Sequence, residues 1–437
     1  MYHRLLPLLL ILSAIAALAQ NAEDNGPAIV SRGVDPAYGA GSGQVQIRPY
    51  VGVSGVYDTA LTPVSITPEG EVPEKDGYGA EVDFGAKGYH SWRNTVLGLD
   101  YRGAVHHYTD ASYYDGTDQA INLGLTHKVS PNVSFSLREA AGTLSHGSTM
   151  STGADYTGVE TPQNEMFENR THYLTSMGDL KLTKGGRLSF NLGGSGTIVR
   201  RRSESLSSMS GWSGRGDVAY RIGRRHTIGF DYSYDHYEYT QGRGNSDIHS
   251  VALDWSSRFG RSWELGLRAG GARVETMGTT QIALDPILAI LLGQSSLTLQ
   301  YYNRNYTPSA DARLTREFRR ARLSFGYHRG TASGNDLYMT SREESGTAGF
   351  TYTALRKWHF SLSGDYTTYH SYGQNLGMYQ SYRGGGGVTY QLASAWHLTA
   401  RFDTRRYDVN DARFKRLQHR VSLGIAFSPG EFPLSLW

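Results

Sequence analysis

The chain reads as all-β: a transmembrane antiparallel up-and-down β-barrel of about twenty strands, with eighteen as the alternative. Three observations carry this. Apolar and polar residues alternate over runs longer than the five or six residues usual in globular strands. Short and long connections take turns along the chain. Beyond the N-terminus no segment holds the ~20 continuous apolar residues that a spanning helix needs, "PILAILLG" (286–293) being the nearest.

The alternation is plainest in "HTIGFDYSYDHYEYT" (226–240), where Ile228, Phe230, Tyr232 and Tyr234 share one parity and Asp231, Ser233 and Asp235 the other. A strand sends these two sets to opposite faces. The rhythm recurs between Gln44 and Ser428. Val251, Leu253, Trp255 and Phe259 oppose Ala252, Asp254, Ser256 and Arg258, and Trp263, Leu265 and Leu267 oppose Glu264, Gly266 and Arg268. Trp358, Phe360, Leu362 and Tyr366 oppose His359, Ser361, Ser363 and Asp365; Trp396, Leu398, Ala400 and Phe402 oppose His397, Thr399, Arg401 and Asp403. If the apolar parity faced inward, about twenty strands would enclose a lumen too wide for side chains to fill. Turning that parity to lipid and the polar one to water removes the difficulty, and closure leaves no backbone edge unpaired.

Tight connections read "SPN" (130–132), "KGG" (184–186), "GRR" (223–225), "GR" (260–261), "GQS" (293–295) and "LRK" (355–357). Longer polar ones lie between them, at 59–76, 109–116, 146–169, 203–210, 241–246, 332–341 and 371–376. Short turns at one end and long loops at the other is the division seen in barrels with periplasmic turns and extracellular loops. "QIALDPILAILLG" (281–293) and "DARLTREF" (311–318) are the weakest strands, which is why eighteen is the alternative count.

Residues 1–19 read as a signal peptide: Arg4 precedes an apolar stretch from Leu5 to Leu18, and Ala17-Leu18-Ala19 has the small-x-small form of a cleavage site. The expected organisation is then a short periplasmic segment (20–43), the barrel (44–428) and a tail (429–437) in the outer membrane of a Gram-negative-type bacterium. No cysteine is present, which removes disulfides, a lipidated cysteine and cysteine metal sites. A net charge of +3 is too small for this length to suggest a nucleic-acid partner. The pair His106-His107 reads as a strand end rather than a metal site.

Five of the seven tryptophans, Trp92, Trp255, Trp263, Trp358 and Trp396, fall beside short turns. Tyrosines (Tyr237/Tyr239, Tyr366/Tyr369, Tyr379/Tyr382) crowd toward the long loops instead, and both levels fit interfacial girdles. With these features the chain resembles bacterial outer-membrane β-barrel proteins of porin-like type. The resemblance spans nearly all of the mature sequence and is one of pattern, without a diagnostic motif. It implies outer-membrane lipid, the barrel-assembly machinery and small hydrophilic solutes as partners. It also implies an aromatic-ended final strand, for which "HRVSLGIAFSPGEFPLSLW" offers Phe427 and Trp437; Pro429 and Pro433 interrupt the tail, and 414–427 is the favoured last strand.

Only about two dozen residues precede the first strand, too few for a folded plug domain. No G-x-S-x-G, H-E-x-x-H or compact Ser/His/Asp cluster points to an enzyme, and no cofactor is called for. The sequence therefore points to a water-filled channel; a polymer (exopolysaccharide) export barrel and a loop-plugged adhesin or structural barrel are the alternatives. The candidate selectivity residues are Arg401, Asp403, Arg405, Arg416 and Arg420. With a turn centred on Asn410-Asp411, Arg401 faces Arg420 and Arg405 faces Arg416, and like charges so placed need acids or an anion between them. Arg48, Arg102, Arg138, Arg313 and Arg322 share the polar parity, with Glu81, Asp83 and Asp100 near them in sequence. Loop 146–168 carries Asp155, Glu160, Glu165 and Glu168 with no Lys or Arg and is the candidate constriction; loop 59–76, with Glu69, Glu71, Glu74 and Asp76 against Lys75, is a second. "RGGGG" (383–387) marks an expected kink, or a place where a loop packs on bare backbone.

Overall fold

The computed structural model describes residues 44–59, 76–110, 114–145, 170–202, 208–240, 244–260, 262–283, 296–333, 339–353, 355, 357–372, 378–409, 414–429 and 432–435. The first strands are β1 (Gln44–Asp58), β2 (Gly77–Ser91), β3 (Thr95–Tyr108), β4 (Gly116–Ser130), β5 (Val133–Leu144) and β6 (Thr171–Lys184). They continue as β7 (Leu188–Arg201), β8 (Met209–Arg221), β9 (His226–Tyr239), β10 (Gly244–Phe259), β11 (Trp263–Ala283) and β12 (Ser296–Glu317). The last are β13 (Ala321–Ala332), β14 (Ser341–Tyr352), β15 (Trp358–Ser371), β16 (Tyr379–Gln391), β17 (Trp396–Val409), β18 (Phe414–Phe427) and the short β19 (Phe432–Ser435).

Each strand from β1 to β18 pairs antiparallel with its neighbour in sequence, and β18 pairs with β1, so the wall closes as an eighteen-strand barrel. The alternative count is the one observed. The strands expected at "QIALDPILAILLG" and "DARLTREF" are not separate: 281–283 end β11, 311–317 end β12, and 284–295 lie outside the described residues. A spanning strand needs only ~9–11 residues, so strands of 21 and 22 residues look like two each. "GQS" (293–295), expected as a tight connection, lies between β11 and β12 in sequence and outside the described residues.

The tail is not outside the wall. β19 lies beside the start of β1, from Gln44↔Ser435 to Ile47↔Phe432, while β18 covers Val51 to Asp58. Between Ile47↔Phe432 and Val51↔Phe427 lies an interval of three residues on β1 against four on the closing segment, of which 430 and 431 lie outside the described residues. Pro429, which has no N–H to give a ladder, falls inside it, and the Ser428 hydroxyl donates to the Pro49 carbonyl at 3.1 Å.

The faces are inverted relative to a soluble barrel: Leu253, Leu362 and Leu423 stand 65%, 64% and 61% exposed on the outside, while Asp58, Asp100, Arg102 and Arg416 are buried within. Trp263, Trp358 and Trp396 each open a strand at the short-turn end. There the Arg316 guanidinium lies 4.7 Å over Trp263 and 4.3 Å over Phe318, its stem along the apolar wall. The tyrosines at the other end do not form one girdle. Tyr366 and Tyr382 face outward with ring centroids 4.8 Å apart, but Tyr239, Tyr369 and Tyr379 are buried on the inner face.

Candidate functional site

The lumen is lined by the polar parity, and its charges gather on two walls. The first lies at the seam where the barrel closes. Here Asp403 on β17 stands opposite Arg420 on β18, and Arg401 opposite Ser422. The expected register, with Arg401 facing Arg420 and Arg405 facing Arg416, is displaced by two residues. Arg405 faces Gln418 instead, and Arg416 faces Tyr407. The displacement puts an acid between arginines: Arg401 Nε donates to Asp403 Oδ2 at 2.6 Å and its Nη2 to Oδ1 at 2.8 Å.

Arg420 extends the network across the seam. It bonds Glu81 on β2 and approaches Asp58 on β1 at 3.9 Å; its side chain is 11% exposed. Asp58 in turn accepts the Tyr108 hydroxyl from β3 at 2.5 Å. One guanidinium thus ties the last strand to the first two. Nearby on β3, Arg102 and Asp100 pair at 2.8 Å, both buried.

Above these, Arg405 lies over the Tyr407 ring at 5.4 Å and stands opposite Arg383 of β16. Arg416 donates to the Tyr407 hydroxyl at 3.3 Å. All five selectivity candidates therefore share one wall; Arg401, Asp403 and Arg420 form a contiguous cluster, and Arg405 and Arg416 meet around Tyr407.

The "RGGGG" stretch explains how Asp403 fits. Gly384 to Gly387 pair regularly with β15 and β17, with no kink. A Cβ on Gly385 would collide with the Asp403 carboxylate, and one on Gly387 would come within 2.9 Å of the Ser361 hydroxyl. The glycines make room for lumen side chains rather than for a bend.

The second wall spans β5 to β13. Asp179 on β6 receives Arg138 and Arg215 from β5 and β8. Further round, Arg268 on β11 bonds Asp231 on β9, lies 3.8 Å from Asp254 on β10 and 4.0 Å from Asp311 on β12. His328 on β13 contacts Asp311. Asp179 with Arg138 and Arg215, like Arg268 with its aspartates, draws its partners from different strands, so this clustering is not visible in the alternation along any one of them.

Toward the long-loop end this wall is covered. Tyr372, just after β15, packs with Tyr237 on buried Ile248, Ala272 and Val274. Its hydroxyl shares hydrogen bonds with Thr307 at 2.7 Å and Thr331 at 3.3 Å, and its carbonyl accepts from Asn303. Above Ala310 β12 no longer pairs with β13, so Tyr372 bridges the two where their ladder ends, next to Pro308. Tyr239 donates to the Ser333 carbonyl at 2.7 Å and lies 2.6 Å from the Thr340 hydroxyl; Met339 and Thr340 are buried.

Asp155, Glu160, Glu165 and Glu168, the expected constriction acids, lie outside the described residues, as do Glu69, Glu71, Glu74 and Lys75. Asp76 is described and accepts the hydroxyl of Tyr57 at 2.7 Å. His106 and His107 do end a strand and diverge: His106 is buried 3.1 Å from the Ser145 hydroxyl, and exposed His107 pairs with Asp115 at 2.7 Å. The Ser145 hydroxyl donates to Asp118 Oδ1 at 2.5 Å.

No family model matches this chain, and no curated protein sequence matches it. Among solved structures it is similar to Pseudomonas aeruginosa OpdQ, at 11% identity over 90% of this chain and 98% of that one, with a TM-score of 0.42. A BenF-like porin from Pseudomonas fluorescens Pf-5 gives 11% identity, 87% and 98% coverage and a TM-score of 0.41. Pseudomonas aeruginosa OccK2 (OpdF) in complex with glucuronate gives 14%, 87% and 98%, and 0.41. At such identities the reading of the lumen rests on this chain's own residues.

Proposed function

We propose that this protein is an outer-membrane channel through which small hydrophilic solutes pass passively. The observation that carries this is the polarity of an eighteen-strand wall, since barrels of that size leave an aqueous lumen and here that lumen is lined by charge. Catalysis is not needed. The Arg401–Asp403–Arg420 seam and the Arg268 cluster face the solute from two walls, and selectivity follows from their summed field in a low-dielectric surround. Arg405 and Arg416, higher on the seam, bias the pore toward anions, and the acids of loop 146–168 oppose them. The apolar cover formed by Tyr372 and Tyr237 on Ile248, Ala272 and Val274 occupies the upper lumen on one side, which favours a selective pore over a wide conduit for polymers.

Liposome swelling tests this. Vesicles carrying the folded protein should swell in isotonic small sugars and more slowly in oligosaccharides. Folded protein that admits no solute would make it a plugged barrel, and equal rates for long polymers would support export.

A further inference from the structure

The outside of the barrel carries a feature that passage through the lumen does not use. Glu139 on β5 faces outward, in one row with Leu123 of β4 and Ser176 of β6. In that row it has apolar Leu123 on one side and, on the other, the Ser176 hydroxyl, which donates to it. Apolar side chains that also face outward lie toward both ends of the wall: Phe135 and Leu180 toward the short turns, Leu174, Ile121 and Ile198 toward the long loops. Other outward acids sit near cations: Asp247 contacts His236, Glu275 bonds Arg273 and Arg304, and Glu344 stands opposite Arg329. Glu139 has instead a hydroxyl in the middle of the apolar band, where a carboxylate is costly to leave against lipid. One serine also leaves most of a carboxylate's four or so acceptor sites unused.

The surface beside it is almost without side chains. Gly178, Gly194 and Gly214 form an adjoining row across β6, β7 and β8, with Gly196 and Gly216 next to them. The barrel itself does not require these glycines. A Cβ would meet nothing within 4 Å at Gly214, an atom no nearer than 4.0 Å at Gly178 and Gly196, and one at 3.5 Å at Gly216; Gly194 is tighter, at 3.3 Å. Inward Gly193 and Gly211, by contrast, would collide with their neighbours. Glycine weakens a strand, so a run of it with open space outside points to close approach from beyond the chain. A second outward run (Gly346, Gly364, Gly384, Gly386) lies on the opposite wall; the row through Gly364 and Gly384 continues to Thr404 and His419 and holds no carboxylate.

We propose that the outward face of β5–β8, centred on Glu139, Ser176 and Gly196, is the contact surface for a second copy of this chain in the membrane. Each copy offers an acceptor and a donor side by side, so a two-fold axis through the row presents Ser176 of the partner subunit to Glu139 and the reverse, the reciprocity an isologous contact requires. The flat glycine rows let the two sheets approach closely, and both carboxylates leave the lipid. This rests on the barrel lying in a membrane, not on what passes through it.

The chain has no cysteine, so single cysteines report cleanly. In native membranes treated with a bis-maleimide spanning ~15 Å, about the three strand spacings that the two-fold axis puts between the two Gly196 positions, Gly196→Cys should run largely as a linked dimer while Leu423→Cys stays monomeric. Adding Gly214→Leu, where the barrel has room for the side chain, should abolish the cross-link with heat-modifiable mobility retained. Three results would overturn the proposal: Gly196→Cys no more cross-linked than Leu423→Cys, Gly364→Cys cross-linking in its place, or a cross-link indifferent to Gly214→Leu.

Discussion

The seam wall and the wall from β5 to β13 are built from the same parts, an arginine held among carboxylates of neighbouring strands, yet they differ in burial and in reach. The Arg420 side chain is 11% exposed and bridges strands from the two ends of the sequence; Arg268 is 39% exposed and joins strands that follow one another closely. Lumen charge thus serves two purposes. At the seam it locks closure as well as lining the pore, whereas on the other wall closure does not depend on it.

The largest expected effect tests that difference directly. Arg420→Met leaves Glu81 and Asp58 without their common partner, a loss of ~3–5 kcal/mol by analogy with broken buried pairs. Arg268→Met, half in water, should cost about 1–3 kcal/mol. Urea titration followed by heat-modifiable gel mobility reads both, and equal losses would erase the distinction.

Next come the two faces of a single strand. Phe230→Arg or Leu398→Arg should cost ~2–4 kcal/mol near the bilayer midplane, falling toward the rims. Thr399→Asn, on the inner face, should change stability by no more than about 0.5 kcal/mol. Equal tolerance on both faces would contradict the inverted polarity. Asp231, also on the inner face, is not a tolerant position, because it bonds Arg268.

A smaller effect is expected at Gly385. Gly385→Val should push Asp403 from Arg401 and cost about 1–3 kcal/mol by overpacking. Gly384→Ala, whose Cβ would lie 3.6 Å from Thr404, should be nearly silent in the same urea titration.

The period of two and the alternation of loop lengths made the barrel legible, because each strand carries its own record of which face meets lipid. Strand count was less legible, since β11 and β12 run well past the membrane and their sequences hold two strand-lengths apiece. The last hairpin shows a second limit. A slip of one residue exchanges the faces and would be visible, but a slip of two keeps them, so parity could not separate Arg401 opposite Arg420 from Asp403 opposite Arg420. The seam cluster was hidden for another reason: Asp58, Glu81 and Arg420 meet only on closure. The inward cover did leave a trace, in Ile248, Ala272 and Val274, apolar residues on an otherwise polar parity.

The smallest expected effect concerns that cover. Tyr372→Phe removes the hydroxyl shared by Thr307 and Thr331, worth about 1 kcal/mol. It should appear as more frequent current fluctuations with global stability little changed; an identical record would mean the ring alone holds the segment.

The channel reading meets its most direct test in a planar bilayer under a salt gradient. Folded protein should give steady, ohmic currents. Arg405→Gln with Arg416→Gln, which leaves the Arg420 lock in place, should move the reversal potential toward cation preference. A correctly folded barrel that passes no current at any voltage would contradict the hydrated pore outright.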